Sequence, residues 1–203
     1  MNDTKENILI AALHLFAQNG YEAVSVSDIA GVLGMTKSAL YKHYKNKRDI
    51  FDSIVARMEQ LDAERAQEFG LPEGTLAEME EAYKRASLKQ MIAFSYTQFH
   101  YWTDEDFPCC FRKMLTLEQY RNIEMKNLYQ QYLVSGPLGY VTDLFKSWDI
   151  EDAQKKAIEF YAPMFLFYSI YDGAEDKSAA AAALKEHMDQ AAEEWKRNIG
   201  TQV

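Results

Sequence analysis

The chain has 203 residues, of which 48% are hydrophobic and 13% aromatic, and its formal net charge is −9 at pH 7. This length and apolar content allow one or two domains with a buried core and exclude a disordered chain. No stretch approaches the roughly 18 uninterrupted apolar residues of a membrane-spanning helix, and the polar start of the chain precedes no secretory apolar segment. We therefore expect a cytoplasmic protein that does not bind membranes.

Basic residues are concentrated near the start of the chain, whereas the rest is acidic. Residues 1–58 carry a net charge of +1 and the remainder −10. The segment Thr36–Arg48 holds five basic residues and no acidic one. Because salt screens charges beyond about 8–10 Å, this basic segment is not cancelled by the acidic remainder, and an anionic partner such as DNA is compatible with it.

The first predicted helix runs from about Lys5 to Gln18, with a broad apolar face and a stop at Asn19-Gly20. A second begins after Ser25, whose hydroxyl and the Asp28 carboxylate have the spacing of a capping box. Gly34 ends it.

Thr36 is placed to cap a short third helix, predicted from about Lys37 to Tyr44. A fourth helix starts near Lys47 and continues to about Phe69, where a segment rich in Gly and Pro closes it. Two helices joined by a three-residue turn, the second short and basic, are typical of a helix-turn-helix unit.

These residues resemble the tetracycline-repressor-like (TetR) family of bacterial regulators. The resemblance covers roughly residues 5–58 and is most specific in the string from Leu33 to Ile50, where a Leu-Tyr-x-His-Tyr-x-x-Lys core ends at Lys47. Three positions depart from the family pattern: Leu33, Ser38 and Asn46. Ser38 matters most, because it lies on the expected groove-facing surface and alters which bases are recognised.

The resemblance implies double-stranded DNA as partner, in the form of a palindromic operator. A short recognition helix enters the major groove with its N-terminus first, where side chains reach base edges. The helix-4 N-terminus, with Lys47, is placed to receive a phosphate. The predicted DNA-binding residues are Ser27, Thr36, Lys37, Ser38, Ala39, Tyr41, Lys42, His43 and Lys47.

Helical periodicity continues through the remaining residues, with no alternating strand pattern. Thr75 is placed to cap a helix that reaches about Trp102 with a break near Ala86-Ser87. Two adjacent stripes of this helix are apolar or aromatic, which is typical of a helix that lines a core or a cavity. Core packing is the simpler interpretation for any single residue, and the family resemblance favours a pocket. The predicted ligand pocket, for a small hydrophobic or aromatic effector, comprises Met91, Phe94, Ser95, Gln98, Phe99, Trp102, Phe111, Met114, Leu115, Phe165 and Tyr168.

The last two predicted helices, at about Glu151–Asp172 and Asp176–Ile199, form a pair in which Pro163 is expected to introduce a kink. Two such helices from each subunit would make a four-helix interface like that of the family. An intramolecular hairpin without a dimer is the alternative. The predicted homodimer interface comprises Ile158, Tyr161, Phe165, Leu184, Met188, Ala191, Ala192 and Trp195.

Together these patterns predict an all-α protein with two domains. Residues 1–48 form a three-helix helix-turn-helix domain, and 49–203 form a helical bundle for ligand binding and dimerisation. Helix 4, at 47–69, connects the two domains. The expected function is that of a repressor released from its operator by ligand. The alternative is a DNA-binding factor controlled by a protein partner, or one without ligand control.

No catalytic arrangement of side chains is found at a usable spacing, so we expect no enzyme activity and no cofactor. The two cysteines, Cys109 and Cys110, are adjacent. This excludes a disulfide framework and a site of spaced thiolates, so no metal site is predicted. Burial of both cysteines in a helix is favoured over a redox pair.

Overall fold

The computed structural model describes residues 3–68 and 76–199, and the regular elements in these ranges are helices. The all-α prediction is therefore confirmed for this part of the chain. No helix in the described residues is long and apolar enough to cross a membrane. The helices are α1 (Asp3–Asn19), α2 (Val26–Val32), α3 (Lys37–Leu40), α4 (Lys47–Glu68), α5 (Leu76–Arg85), α6 (Leu88–Asp104), α7 (Asp106–Glu118), α8 (Ile123–Tyr129), a π-helix (Gln130–Val134), α9 (Ser135–Ser147), α10 (Ala153–Gly173) and α11 (Lys177–Ile199).

The helices belong to two compact units. Unit 1 comprises residues 1–69 and 105–129, and unit 2 comprises 70–104 and 130–203. This division differs from the predicted one, in which the first domain ended at residue 48. The physical reason is that α4 and α7 both pack against α1 and share its core.

The core of unit 1 forms where the apolar face of α1 meets α2, α4 and α7. Ile8, Leu13 and Phe16 of α1 are inaccessible to solvent. Tyr21 packs between Phe16 and Phe51, with ring centroids 5.1 and 5.3 Å from its own. Full burial of one such aromatic or aliphatic side chain contributes about 1.5–3 kcal/mol, so this core holds the short helices α2 and α3 in place.

In unit 2, α10 packs on α6, α9 and α11. The rings of Phe99 and Tyr168 stack with their centroids 5.5 Å apart and their planes 8° apart. Trp195 lies against Phe145 at 4.9 Å. Pro163 lies within α10 as predicted.

The chain passes from α8 to α9 through the π-helix. The wider turn of a π-helix shifts the backbone hydrogen-bond register and frees carbonyl groups. Tyr161 donates its hydroxyl proton to the carbonyl oxygen of Leu133, within this π-helix, at 2.7 Å. At Gly136 a Cβ atom would lie 1.9 Å from the carbonyl oxygen of Gln131, so the position requires glycine.

Several predicted boundaries are found where the sequence placed them. The helix in residues 76–104 is broken at Ala86-Ser87, and the break before α11 follows Gly173. The third helix is shorter than predicted, because residues 41–43 form a turn. The predicted cap Thr75 and the Gly70–Gly74 break lie outside the described residues.

Candidate nucleic-acid interface

The first helix of the helix-turn-helix unit, α2, is fixed by reciprocal hydrogen bonds at its N-terminus. The Asp28 backbone N–H donates to Ser25 Oγ at 3.2 Å, and the Ser25 N–H donates to Asp28 Oδ2 at 2.7 Å. These hydrogen bonds stabilise the charged form and lower the pKa of Asp28. The predicted capping box is therefore present, and it leaves Ser27 exposed on the first turn.

The turn between α2 and α3 depends on one left-handed residue. Gly34 has φ +62°, a conformation that is costly for residues with a side chain. The next residue, Met35, donates its N–H to the Ala30 carbonyl at 3.0 Å and closes the end of α2. Thr36 then caps α3, because its Oγ1 accepts the Ala39 N–H at 3.1 Å.

Two buried side chains hold α3 and the turn after it onto unit 1. Leu40 is inaccessible to solvent, and Tyr44 is 2% exposed. The Tyr44 hydroxyl donates to the carbonyl oxygen of Lys5 on α1 at 3.1 Å. Burial raises the pKa of Tyr44 to about 12, so this hydroxyl stays protonated and keeps its hydrogen bond.

The opposite face of α3 and its turn is open to solvent. Lys37, Ser38 and Lys42 are exposed, and Tyr41 is 44% exposed. Ala39 and His43 are half-buried. The predicted base-contacting residues therefore lie on the short, N-capped helix α3 and in the turn after it, with cationic side chains on the outer surface, a shape and charge that fit the major groove.

Lys47 has partners within the chain. Its Nζ donates to the Tyr21 carbonyl oxygen at 2.8 Å and lies 4.2 Å from the centroid of the Tyr21 ring. The α4 N-terminus is also capped, since Asn46 Oδ1 accepts the Asp49 N–H at 2.8 Å. The predicted phosphate contact by Lys47 stays a prediction, and in this structure the lysine fixes the loop after α1.

Arg48 takes part in an ion-pair network that the sequence did not indicate. Its guanidinium bonds both carboxylate oxygens of Glu124 on α8, at 2.5 and 2.6 Å, and its Nε bonds Asp52 at 2.6 Å. These carboxylates raise the pKa of Arg48, against the opposing effect of desolvation. The basic segment thus contributes one of its charges to a link between α4 and α8.

The predicted ligand pocket is divided between the units. Phe111, Met114 and Leu115 are fully buried on α7 in unit 1, where α7 packs on α1. The other members belong to unit 2. Among them Phe94 and Gln98 are half-buried and Phe165 is 38% exposed, and the buried ones are Met91, Ser95, Phe99, Trp102 and Tyr168.

The predicted dimer interface stays a prediction, and its members differ in how exposed they are in the single chain. Leu184, Met188 and Ala192 on α11 are at most 9% exposed, because they pack inside unit 2 and not on its surface. Tyr161 is likewise buried, and Ala191 and Trp195 are half-buried.

Only two members of the predicted interface are exposed. Ile158 is 49% and Phe165 38% exposed, and both belong to an exposed apolar stripe of α10 that also contains Ala162, Leu166 and Ile170. The spacing of this stripe places all five side chains on one face of the helix. Periodicity gave the apolar positions, but it did not distinguish the face that packs internally from the one that is left open.

Comparison with known proteins finds a family match for the helix-turn-helix unit. The family model described as bacterial regulatory proteins, tetR family, matches residues 8–54. The HTH-type transcriptional regulator AcrR of Shigella flexneri is 42% identical over 52 residues, which are 26% of this chain and 24% of AcrR. The HTH-type transcriptional repressor BepR of Brucella suis is 40% identical over 55 residues, 27% of this chain and 26% of BepR. The matched part thus spans about a quarter of the length of these curated relatives.

Solved structures share the fold over nearly the whole chain. A protein described as a transcriptional regulator from Saccharomonospora viridis, solved in complex with choline, has a TM-score of 0.64 at 16% identity and covers 97% of both chains. NalD, the secondary repressor of the MexAB-OprM multidrug efflux pump in Pseudomonas aeruginosa, has a TM-score of 0.54 at 17% identity and covers 93% of this chain and 95% of its own. At these identities the likeness concerns the fold alone.

Proposed function

We propose that the whole chain is a transcription regulator that binds a palindromic operator in the cytoplasm, because residues 8–54 match the family model described as bacterial regulatory proteins, tetR family. The observation that carries this proposal is the exposed cationic face of α3. Lys37 on α3 and Tyr41 and Lys42 in the turn after it are exposed, and the other side of this segment is anchored by Leu40 and Tyr44. A rigid helix with an open basic face binds DNA without a large ordering cost.

Within the proposed complex, α3 enters the major groove. Lys37, Ser38 and Ala39 in its first turn meet base edges, with Tyr41 and Lys42 beside them. Ser27, Thr36, Tyr41, His43 and Lys47 contact phosphates. Thr36 is able to cap α3 and contact DNA together, because its oxygen accepts the Ala39 N–H while its own hydroxyl proton is left to donate.

We place dimer formation on the α10 stripe of Ile158, Ala162, Phe165, Leu166 and Ile170. An isologous dimer buries this stripe against its own copy and presents two α3 helices to half-sites about one DNA turn apart. Exposed apolar side chains on one helix face support this assignment, because such patches mark association surfaces.

We further propose that unit 2 is the sensor and that a hydrophobic or aromatic ligand releases the DNA. The aromatic side chains of α6 and α10, including the stacked Phe99 and Tyr168, support this class of ligand. A ligand that inserts among these rings shifts the population of states only if it binds the released state more tightly. Repression follows when the DNA-bound state covers a promoter.

The DNA-binding proposal is tested by selecting duplexes from a random-sequence pool with the full chain. We expect an enriched palindrome, to which fluorescence anisotropy gives a Kd and a salt slope. Lys47→Ala should lower the magnitude of that slope by about one per subunit, because each lysine–phosphate contact releases about one counterion. Lys89→Ala is the matched control, an exposed lysine on α6 that should leave both quantities unchanged. Equal slopes for all three proteins would refute the contact.

The sensing proposal is tested separately with a library of hydrophobic and aromatic compounds in a thermal-shift assay. A compound that raises the melting temperature and also releases the selected duplex supports ligand control. A protein that binds the duplex but responds to no compound behaves as the factor without ligand control.

A further inference from the structure

A histidine, an aspartate and a cysteine converge on the surface of unit 1. His14 lies on α1, and Asp106 and Cys110 lie on α7. His14 Nε2 is 2.7 Å from Asp106 Oδ2, and Cys110 Sγ is 3.9 Å from Asp106 Oδ1. The nitrogen, oxygen and sulfur atoms all lie within 4.8 Å of one another, and within residues 3–68 and 76–199 this is the single group of three such donors.

The fold brings these residues together by two independent constraints. Asp106 and Cys110 are four residues apart on α7, so their side chains lie on the same face of the helix. His14 comes from α1, which packs on α7 along the core of unit 1. The three donors are therefore held by packed helices and not by a loop.

We propose that His14, Asp106 and Cys110 bind one divalent cation of the Zn²⁺ class. Imidazole nitrogen, thiolate sulfur and carboxylate oxygen are the ligands that zinc takes, whereas calcium and magnesium take oxygen. Three protein ligands leave one tetrahedral position for water. His14 and Asp106 are 42% and 65% exposed, which gives the ion a path from solvent.

The distances require only side-chain adjustment. With metal–ligand bonds of about 2.0–2.3 Å, two donors of a tetrahedral site are about 3.3–3.7 Å apart. The His14–Asp106 pair must therefore open by less than about 1 Å, and the widest separation must contract by about the same amount. Partly exposed side chains reach these positions by small changes of rotamer.

The charges of the proposed site balance. The carboxylate of Asp106 and the thiolate of Cys110 together carry −2, which a divalent cation neutralises, and His14 binds through a neutral nitrogen. On binding, the metal–sulfur bond forms as the thiol proton leaves to solvent, and nothing is oxidised or reduced. The bound ion would link α1 of the DNA-binding domain to α7.

The chain also contains a natural comparison. His100 and Asp104 on α6 form a similar pair, with Nδ1 and Oδ2 2.6 Å apart, but no third donor of this kind joins them among the described residues. If His14 and Asp106 were only an ion pair, the two pairs would behave alike toward metals. A cation site at His14 requires Cys110, and this is the property to test.

The experiment titrates the full chain, freed of metal with a chelator, with Co²⁺ and records absorption. We expect one equivalent of Co²⁺ to produce the near-ultraviolet cobalt–sulfur charge-transfer band and the visible bands of a tetrahedral site. Addition of Zn²⁺ should displace the cobalt and remove them. Cys110→Ser should abolish the charge-transfer band, and His14→Gln should weaken binding by more than about tenfold. Cys109→Ser and His100→Gln are the matched controls and should retain wild-type binding.

Three results would overturn the proposal: no charge-transfer band in the wild type, a band that survives Cys110→Ser, or a band lost in Cys109→Ser. Far-ultraviolet circular dichroism of each variant checks that the helices are intact. A thermal melt adds a readout that does not depend on cobalt, because Zn²⁺ should raise the melting temperature of the wild type but not of Cys110→Ser. An equal shift in both proteins would also refute the site.

Discussion

Leu166→Ala should weaken the proposed dimer by about a hundredfold. Leu166 is 59% exposed on the α10 stripe, the largest exposed fraction among the large hydrophobic side chains of that helix. Full burial of a leucine contributes about 1.5–3 kcal/mol, so covering its exposed part contributes about 1–1.8 kcal/mol. Because the two-fold symmetric dimer contains one Leu166 from each subunit, this contribution doubles to about 2–3.5 kcal/mol. This corresponds to roughly a 30- to 300-fold change in the dimer Kd.

The same substitution should leave the fold of the single chain nearly unchanged, because an exposed side chain loses few contacts when it is shortened. Sedimentation equilibrium measures the dimer Kd, and circular dichroism measures the urea midpoint at a concentration where the chain is monomeric. Leu117→Ala is the matched control, a 43% exposed leucine on α7 outside the stripe. An unchanged dimer Kd for Leu166→Ala, or an equal change for Leu117→Ala, would show that α10 is not the interface.

Two further predictions concern stability. Gly136→Ala should lower the free energy of unfolding by about 1–3 kcal/mol, because the added Cβ would meet the Gln131 carbonyl oxygen. Gly139→Ala should raise the free energy of unfolding by about 0.5–1 kcal/mol, because a Cβ there meets nothing within 4 Å. Urea denaturation of both variants measures these opposite signs, and two changes of the same sign would contradict the prediction. The lowered pKa of Asp28 means that its capping hydrogen bonds stabilise the fold above the unfolded pKa of about 3.9 and are lost as the pH falls through the lower folded value. The difference in urea midpoint between wild type and Asp28→Asn should therefore be larger at pH 6 than at pH 3, and a constant difference would contradict this origin.

The parts of the fold that the sequence predicted are those determined by local interactions. The capping box at Ser25, the cap at Thr36 and the helix end at Gly34 each act within four residues, so the chain itself specifies them. The break at Ala86-Ser87 is of the same kind. The π-helix was not predicted, because nothing in its own residues separates it from an α-helix, and its support comes from Tyr161 in a different helix.

Side-chain partners far apart in sequence could not be predicted. Arg48 pairs with Glu124, 76 residues away, and His14 with Asp106, 92 residues away. Both pairs follow from packing inside unit 1, which periodicity does not specify. The dimer prediction had the same difficulty, since an apolar face on α11 is equally compatible with internal packing and with a partner subunit.

The structure also changes how the basic segment acts. Of its five cationic side chains, Arg48 is paired with two carboxylates and Lys47 bonds the Tyr21 carbonyl oxygen. Lys37 and Lys42 are exposed on the face that is proposed to meet DNA, and Lys45 is exposed just before α4. Contacts from so few lysines give modest affinity per subunit, because each phosphate contact adds only one released counterion. Tight binding would then require both subunits at the correct half-site spacing, and a ligand that alters that spacing would release the DNA without touching α3.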